Sequence, residues 1–314
     1  MTKLRHYGYF ASLCLLIIPV VVFADCSGEA EATEAGQGHK PQALKLKVAA
    51  IAFVLFAGAM GVGIPILGKA IPCLNPGSSL FSIIKVFAAG VILATGFIHV
   101  LPDAFESLTS PCLKENPWRM FPFTGFVATV AAIGTLISNR VITLYFVLIN
   151  VLNTNSFVCT LLQVLELGTV VHSIIIGISL GVSGSPDTIR PLVAALAFYQ
   201  FFEGIGLGGC IAQANFKSRA TAVMALFFSL TTPIGVAIGI GISNIYTENS
   251  PTALVVEGVL NAASAGILIY MSLVDMLVAE LMNSKLQSNI RLLAGANLSV
   301  LLGAGCISLL AIWS

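Results

Sequence analysis

Of the 314 residues, only 9% carry a charge and 57% are apolar, and the net charge is +1. So few charges cannot cover a water-facing surface, which excludes a soluble globular domain. The near-neutral balance leaves no basic stripe and excludes nucleic acid as a partner.

At the N-terminus, Lys3, Arg5 and His6 precede the apolar run Phe10–Val22, and Phe23-Ala24 offers a small-residue cleavage position before Asp25. This pattern predicts a cleaved signal peptide over residues 1–24, with a retained signal anchor as the alternative. Residues 25–43, with Glu29, Glu31, Glu34, Gly36, Gly38 and Pro41, read as a short exposed extracellular tail. Residues 44–314 form the transmembrane domain.

A spanning helix needs about 20 mostly apolar residues. Runs of that kind fall at 46–68, 80–102, 120–137, 163–183, 190–212, 221–243, 252–277 and 292–313. The fold class predicted is therefore an all-α membrane protein, an eight-transmembrane-helix bundle with both mature termini outside. Charge placement points the same way: Lys69, Arg140, Lys217, Arg219, Lys285 and Arg291 then face the cytosol, while the exterior loops carry Lys114, Arg119 and Arg190 with the acidic Asp103, Glu106, Glu115, Asp187 and Glu248. Lys45 and Lys47 run against the bias. The segment 138–163 is irregular, because Val141–Leu162 is apolar with only Asn150, Asn153 and Asn155 to wet it. It reads as a ninth span, a surface segment or an extension of its neighbours; a ninth span would invert the charge pattern, so eight are counted.

Small residues recur at four-residue spacing in Gly177/Gly181, Gly204/Gly208, Gly235/Gly239 and Ala262/Gly266. Such faces let helices approach closely in lipid, and packing is their expected role. The seven cysteines show no paired metal spacing. Cys26 and Cys112 share the oxidising side in this topology, and the sequence leaves a disulfide between them open.

An ionisable side chain at bilayer depth costs about 2.5–3.5 kcal/mol on insertion scales, so it normally faces an interior path or site. Three clusters stand out. The fourth predicted helix holds Glu166 and His172, the fifth holds Gln200 and Glu203 one turn apart, and the outer end of the second holds His99 and Asp103, followed by Glu106. Imidazole with carboxylate suits zinc and borderline first-row metals. A lone histidine can also be satisfied by a backbone carbonyl, whereas Glu203 needs a cation, a proton or a pairing partner. Glu166, Asp275 and Glu280 read as charges near the cytosolic interface.

Four stretches together resemble the ZIP (Zrt/Irt-like) metal transporter family, particularly its plant branch: Phe87–Cys112, Val164–Gly181, Thr188–Cys210 and Asn261–Asp275. The resemblance spans nearly all of the chain except Ser138–Gln163. It implies eight helices and alternating-access import of zinc, iron or manganese into the cytosol from the plasma membrane. It also implies a transport site of His172, Ser173, Gln200 and Glu203, with His99, Asp103 and Glu106 at the outer mouth. Two departures stand out. Tyr199 replaces a histidine usual in plant members, and a phenol titrating near about pH 10 is a poor zinc ligand. The expected histidine-rich loop after the third helix is absent, since no histidine lies between His99 and His172.

These departures motivate an alternative, a family member that binds metal or regulates without efficient transport. An enzyme is not expected, as no HExxH zincin motif occurs. Zn²⁺ or Fe²⁺ is expected as transported substrate rather than cofactor. The partners are divalent metal ions and the lipid bilayer, with a homodimer left open.

Overall fold

The computed structural model describes residues 40–68, 78–149, 170, 173–183, 186–214, 218–243 and 251–310. The signal peptide, most of the acidic tail, Glu166 and His172 lie outside the described residues. All regular structure among the described residues is helical. The helices of ten or more residues are α1 (Lys40–Leu67), α2 (Ser79–Thr109), α3 (Phe123–Ile149), α4 (Ser173–Val182), α5 (Pro186–Ala214), α6 (Ser218–Ile242), α7 (Pro251–Leu281) and α8 (Ile290–Leu310). All but α4 include stretches long and apolar enough to cross a membrane, which makes seven spans among the described residues. The described part of α4 is an apolar helix of 10 residues.

Three boundaries differ from expectation by six residues or more, one of them the outer end of α2, which runs to Thr109 and not 102. The predicted third span ends at 137, whereas α3 runs on to Ile149. Between Gly134 and Ile149 there is neither glycine nor proline to stop it, so the apolar Val141–Ile149 extends the helix. Asn139 Nδ2 secures that extension by donating to the Tyr270 hydroxyl of α7 at 3.2 Å. The remainder of 138–163 lies outside the described residues. At the other end, α1 begins at Lys40, inside the predicted tail, because Ala43 and Lys47 are buried against the bundle.

Lys47 explains its own exception to the charge bias. Its ammonium is buried and donates to the Gly181 carbonyl at 2.6 Å, at the C-terminal end of α4. A cation there satisfies an orphan carbonyl and the negative end of the helix dipole. Lys47 is therefore a capping group, and no loop charge.

The helices gather in two groups. In one, α1 packs along α5 and α6; in the other, α2 packs along α8 and α7, and α3 along α7, with α2 and α5 meeting between them. α4 joins the first group through glycines. A Cβ on Gly177 would lie 2.6 Å from the Thr232 carbonyl oxygen, and one on Gly181 would lie 2.7 Å from Gly239 Cα. Gly204 and Gly208 press likewise on α1 at Gly61 and Val62, and Gly266 presses on Ala128 of α3. Each spaced small-residue pair thus contributes to a helix crossing, where van der Waals packing replaces the hydrophobic drive that lipid removes.

The second group is pinned by buried polar contacts. Ser272 Oγ of α7 donates to the Ala89 carbonyl of α2 at 2.6 Å, and Ser299 Oγ of α8 to the Ile83 carbonyl at 3.0 Å. Glu280 belongs to this set. It is buried and pairs with Lys85 of α2 at 2.6 Å, which holds together the ends of two helices.

Candidate metal-transport site

α5 carries the deep site. Gln200 and Glu203 sit near the middle of its apolar span Leu192–Gly209, at 0% and 3% exposure. They are three apart, one helical turn, and so share a face. An amide and a carboxylate at this depth are costly unless something polar meets them. Part of the answer is Thr232 of α6, whose hydroxyl donates to Gln200 Oε1 at 2.9 Å. Gly58 of α1 makes room for the amide, since a Cβ there would approach Gln200 Cγ at 3.3 Å.

α4 reaches the same place from the opposite side. Thr232 abuts Gly177, and Ser173 lies four residues before Gly177, on the same face of α4. Ser173 is fully buried. Among the described residues, neither Ser173 Oγ nor Gln200 Nε2 has a hydrogen-bond partner. Buried polar atoms left without partners are uncommon in native folds and invite a ligand or water. α6 is thus the element that brings the α4 and α5 residues together. Tyr199, four residues before Glu203, is also buried at 3% exposure.

The outer cluster is arranged differently. α2 is α-helical over Ser79–Ala94, π-helical over Thr95–Val100 and α-helical again over Leu101–Thr109. His99 sits in the wider turn, and such π segments recur at functional positions. Its Nδ1 is 4.0 Å from Asp103 Oδ2. Both residues line a cavity of about 50 Å³, together with Ser179 of α4, Leu192 of α5, and Glu257 and Asn261 of α7. Glu106 is exposed and does not line it. A second π segment, Met271–Val278, carries Asp275.

The structure therefore brings Gln200 to Thr232, with Glu203 on the Gln200 face and Ser173 one turn before the Gly177–Thr232 crossing, and places His99 with Asp103. Glu106 stands apart from the cavity, and His172 lies outside the described residues. Three participants escaped the sequence reading. Thr232 was signalled by a hydroxyl pair, Thr231-Thr232, ahead of Pro233 within an apolar helix. Asn261 opened one of the resembling stretches but received no role, and Glu257 drew no notice. No group of three or more His, Cys, Asp or Glu residues capable of enclosing a metal ion occurs among the described residues. Among the described residues the deep site offers one carboxylate, one amide and two hydroxyls.

A multi-pass helical bundle with a carboxylate and an amide at mid-span is the architecture of a membrane transporter for cations. Comparison with known sequences gives the family. A profile described as ZIP Zinc transporter matches residues 44–156 and 154–311. The chain is 49% identical to Zinc transporter 5 of Oryza sativa subsp. japonica, covering 100% of this chain and 99% of the relative. It is 49% identical to Zinc transporter 3 of Arabidopsis thaliana, covering 98% and 97%. It is 43% identical to Fe(2+) transport protein 1 of Oryza sativa subsp. japonica, covering 93% and 91%. This chain belongs to the ZIP zinc transporter family.

Proposed function

We propose that this protein carries divalent metal ions into the cytosol by alternating access, with zinc the main substrate and iron or manganese further ones. The observation that carries this reading is the pair Gln200–Glu203, buried at mid-span against Thr232. Oxygen donors of this kind, with the imidazole of His172 and the hydroxyl of Ser173, suit borderline divalent metals. Relatives named for zinc and for ferrous iron support the same substrate class.

The proposed topology has eight spans after a cleaved signal peptide, with α4 lying inside the fourth predicted span, 163–183. Both termini then face the exterior of the plasma membrane. Two observations support this orientation. Cys112, in the loop after α2, is disulfide-bonded, which suits the oxidising side. Lys47, one of the two lysines that run against the positive-inside pattern, is a buried helix cap. The test is radioactive zinc accumulation by cells expressing the chain against vector controls, with iron and manganese as competitors. Saturable zinc entry inhibited by both is expected; accumulation equal to the vector control refutes the reading.

A further inference from the structure

The loop between α2 and α3 is aromatic for a water-facing connection. It carries Trp118, Met120 and Phe121, and Phe123 and Phe126 follow in the first turn of α3. The rings form one cluster: Trp118 lies 4.8 Å from Phe123, and Phe121 lies 4.7 Å from Phe123 and 5.4 Å from Phe126. The cluster is no core, because Met120 is 75% exposed, Phe121 43% and Phe126 54%. Lys114 and Arg119 are exposed on the same loop. We propose that this loop is an interfacial anchor, with Trp118, Met120 and Phe121 seated among phospholipid glycerol and carbonyl groups and Arg119 paired with a headgroup phosphate. The proposal rests on the chain's spanning a membrane and not on what it carries.

Continuity names lipid as what covers the cluster. α3 is the least buried of the described spans, with only 17% of its spanning stretch inside the protein. Its exposed side chains Phe126, Val130, Ile133 and Ile137 recur at helical spacing, which puts them on one face. In a chain that crosses a bilayer, that face meets hydrocarbon. Phe126 heads the stripe and Phe121 packs on Phe126, so the cluster carries the lipid-facing surface past the helix start. That is the level where hydrocarbon gives way to headgroups, and indole rings favour it because one end is apolar and the N–H is polar. Arg119, beside Met120, lays its stem on the apolar surface and turns a planar fork of donors to phosphate. The root of the loop is fixed to the bundle. Leu113 is buried, Cys112 is disulfide-bonded, and the Thr124 hydroxyl donates to the Ala104 carbonyl of α2 at 3.4 Å. The depth of the loop therefore sets the depth of the outer end of α2, which carries His99 and Asp103.

Trp118 and Trp313 are the two tryptophans of the chain, so Trp313→Phe makes Trp118 the single reporter in the full-length protein. The purified variant is placed in nanodiscs of phosphatidylcholine brominated either near the acyl carbonyl or near the terminal methyl. Bromine quenches indole on contact and so reads its depth. The shallow bromine should quench Trp118 by about twofold and the deep one much less. Met120→Ser with Phe121→Ser should abolish most of the shallow quenching, and Arg119→Glu, which repels phosphate, should reduce it by about half. Should Trp313→Phe fail to accumulate, the difference in quenching between the parent chain and Trp118→Phe isolates the same ring. Stronger quenching from the deep bromine overturns the proposal, because the ring then sits in hydrocarbon. No quenching from either lipid overturns it as well, and aqueous acrylamide then tells whether water or protein covers the loop. Unchanged shallow quenching in both loop variants also overturns it, since neither the apolar pair nor Arg119 would then hold the loop in place. The readout involves no metal, so a chain that is anchored but moves no zinc refutes the transport reading alone.

Discussion

Thr232→Val tests how the deep site is held together. The substitution keeps the shape of the side chain and removes the hydroxyl that meets Gln200 at 2.9 Å. Gln200 is fully buried, so no water from the lipid side replaces the lost partner. A hydroxyl both donates and accepts, and it therefore pins the amide by one end and turns the other toward the site. In the hydrogen bond as it stands the free end is the NH₂; for the oxygen to face a cation the amide turns over and donates its NH₂ to the Thr232 oxygen instead. Losing one neutral hydrogen bond of this kind is worth about 1 kcal/mol, or about fivefold in affinity. The unpinned amide also presents its NH₂ to the ion part of the time, which weakens binding further. The KM for zinc should rise by about fivefold or more in Thr232→Val at equal surface protein, measured by initial-rate uptake, and Thr232→Ser should restore it. Unchanged uptake in Thr232→Val would remove Thr232 from the site and leave Gln200 positioned by packing alone.

Other consequences follow from residues already placed. Tyr199→His puts an imidazole four residues from Glu203 on the same helix face, so zinc uptake should equal or exceed that of the parent; a clear drop would show that the phenol has an adapted role. Lys47→Met strips the cap from the Gly181 carbonyl and should lower stability by about 1–3 kcal/mol, read as a fall in the detergent melting temperature. An unshifted melt would mean that the ammonium adds nothing at that helix end. Lys85→Met alone leaves Glu280 buried and unpaired and should destabilise by about 3–5 kcal/mol, whereas Lys85→Met with Glu280→Met should recover most of the loss in the same assay. Equal destabilisation in single and double variants would refute the pairing argument.

What the sequence revealed and what it hid follow from the same physics. Gln200 and Glu203 were legible because polar groups inside an apolar run are costly and therefore rare. The glycine pairs were legible because close helix crossings in lipid demand small residues at a fixed spacing, and Gly177/Gly181 meets Gly235/Gly239 accordingly. Helix limits were less so. α3 passes 137 because nothing in the chain stops it, and hydropathy alone cannot separate a helix extension from a surface segment. Lys47 looked like a loop charge until its distance to Gly181, 134 residues away in the chain, gave it a partner. Glu257 has meaning only in three dimensions. A carboxylate six residues after the helix start at Pro251 is unremarkable in sequence, and only the packing of α7 on α2 sets it beside His99.

Zinc uptake by Glu203→Ala, at surface expression matched to the parent chain, tests the central claim most directly. Among the described residues, Glu203 is the carboxylate placed with Gln200 at mid-span, and a buried carboxylate removed from lipid depth need not weaken the bundle. The variant should reach its membrane and fold, and carry no zinc above the vector control. Parent-level zinc uptake in Glu203→Ala would contradict the account, because metal would then be crossing without the site that defines it.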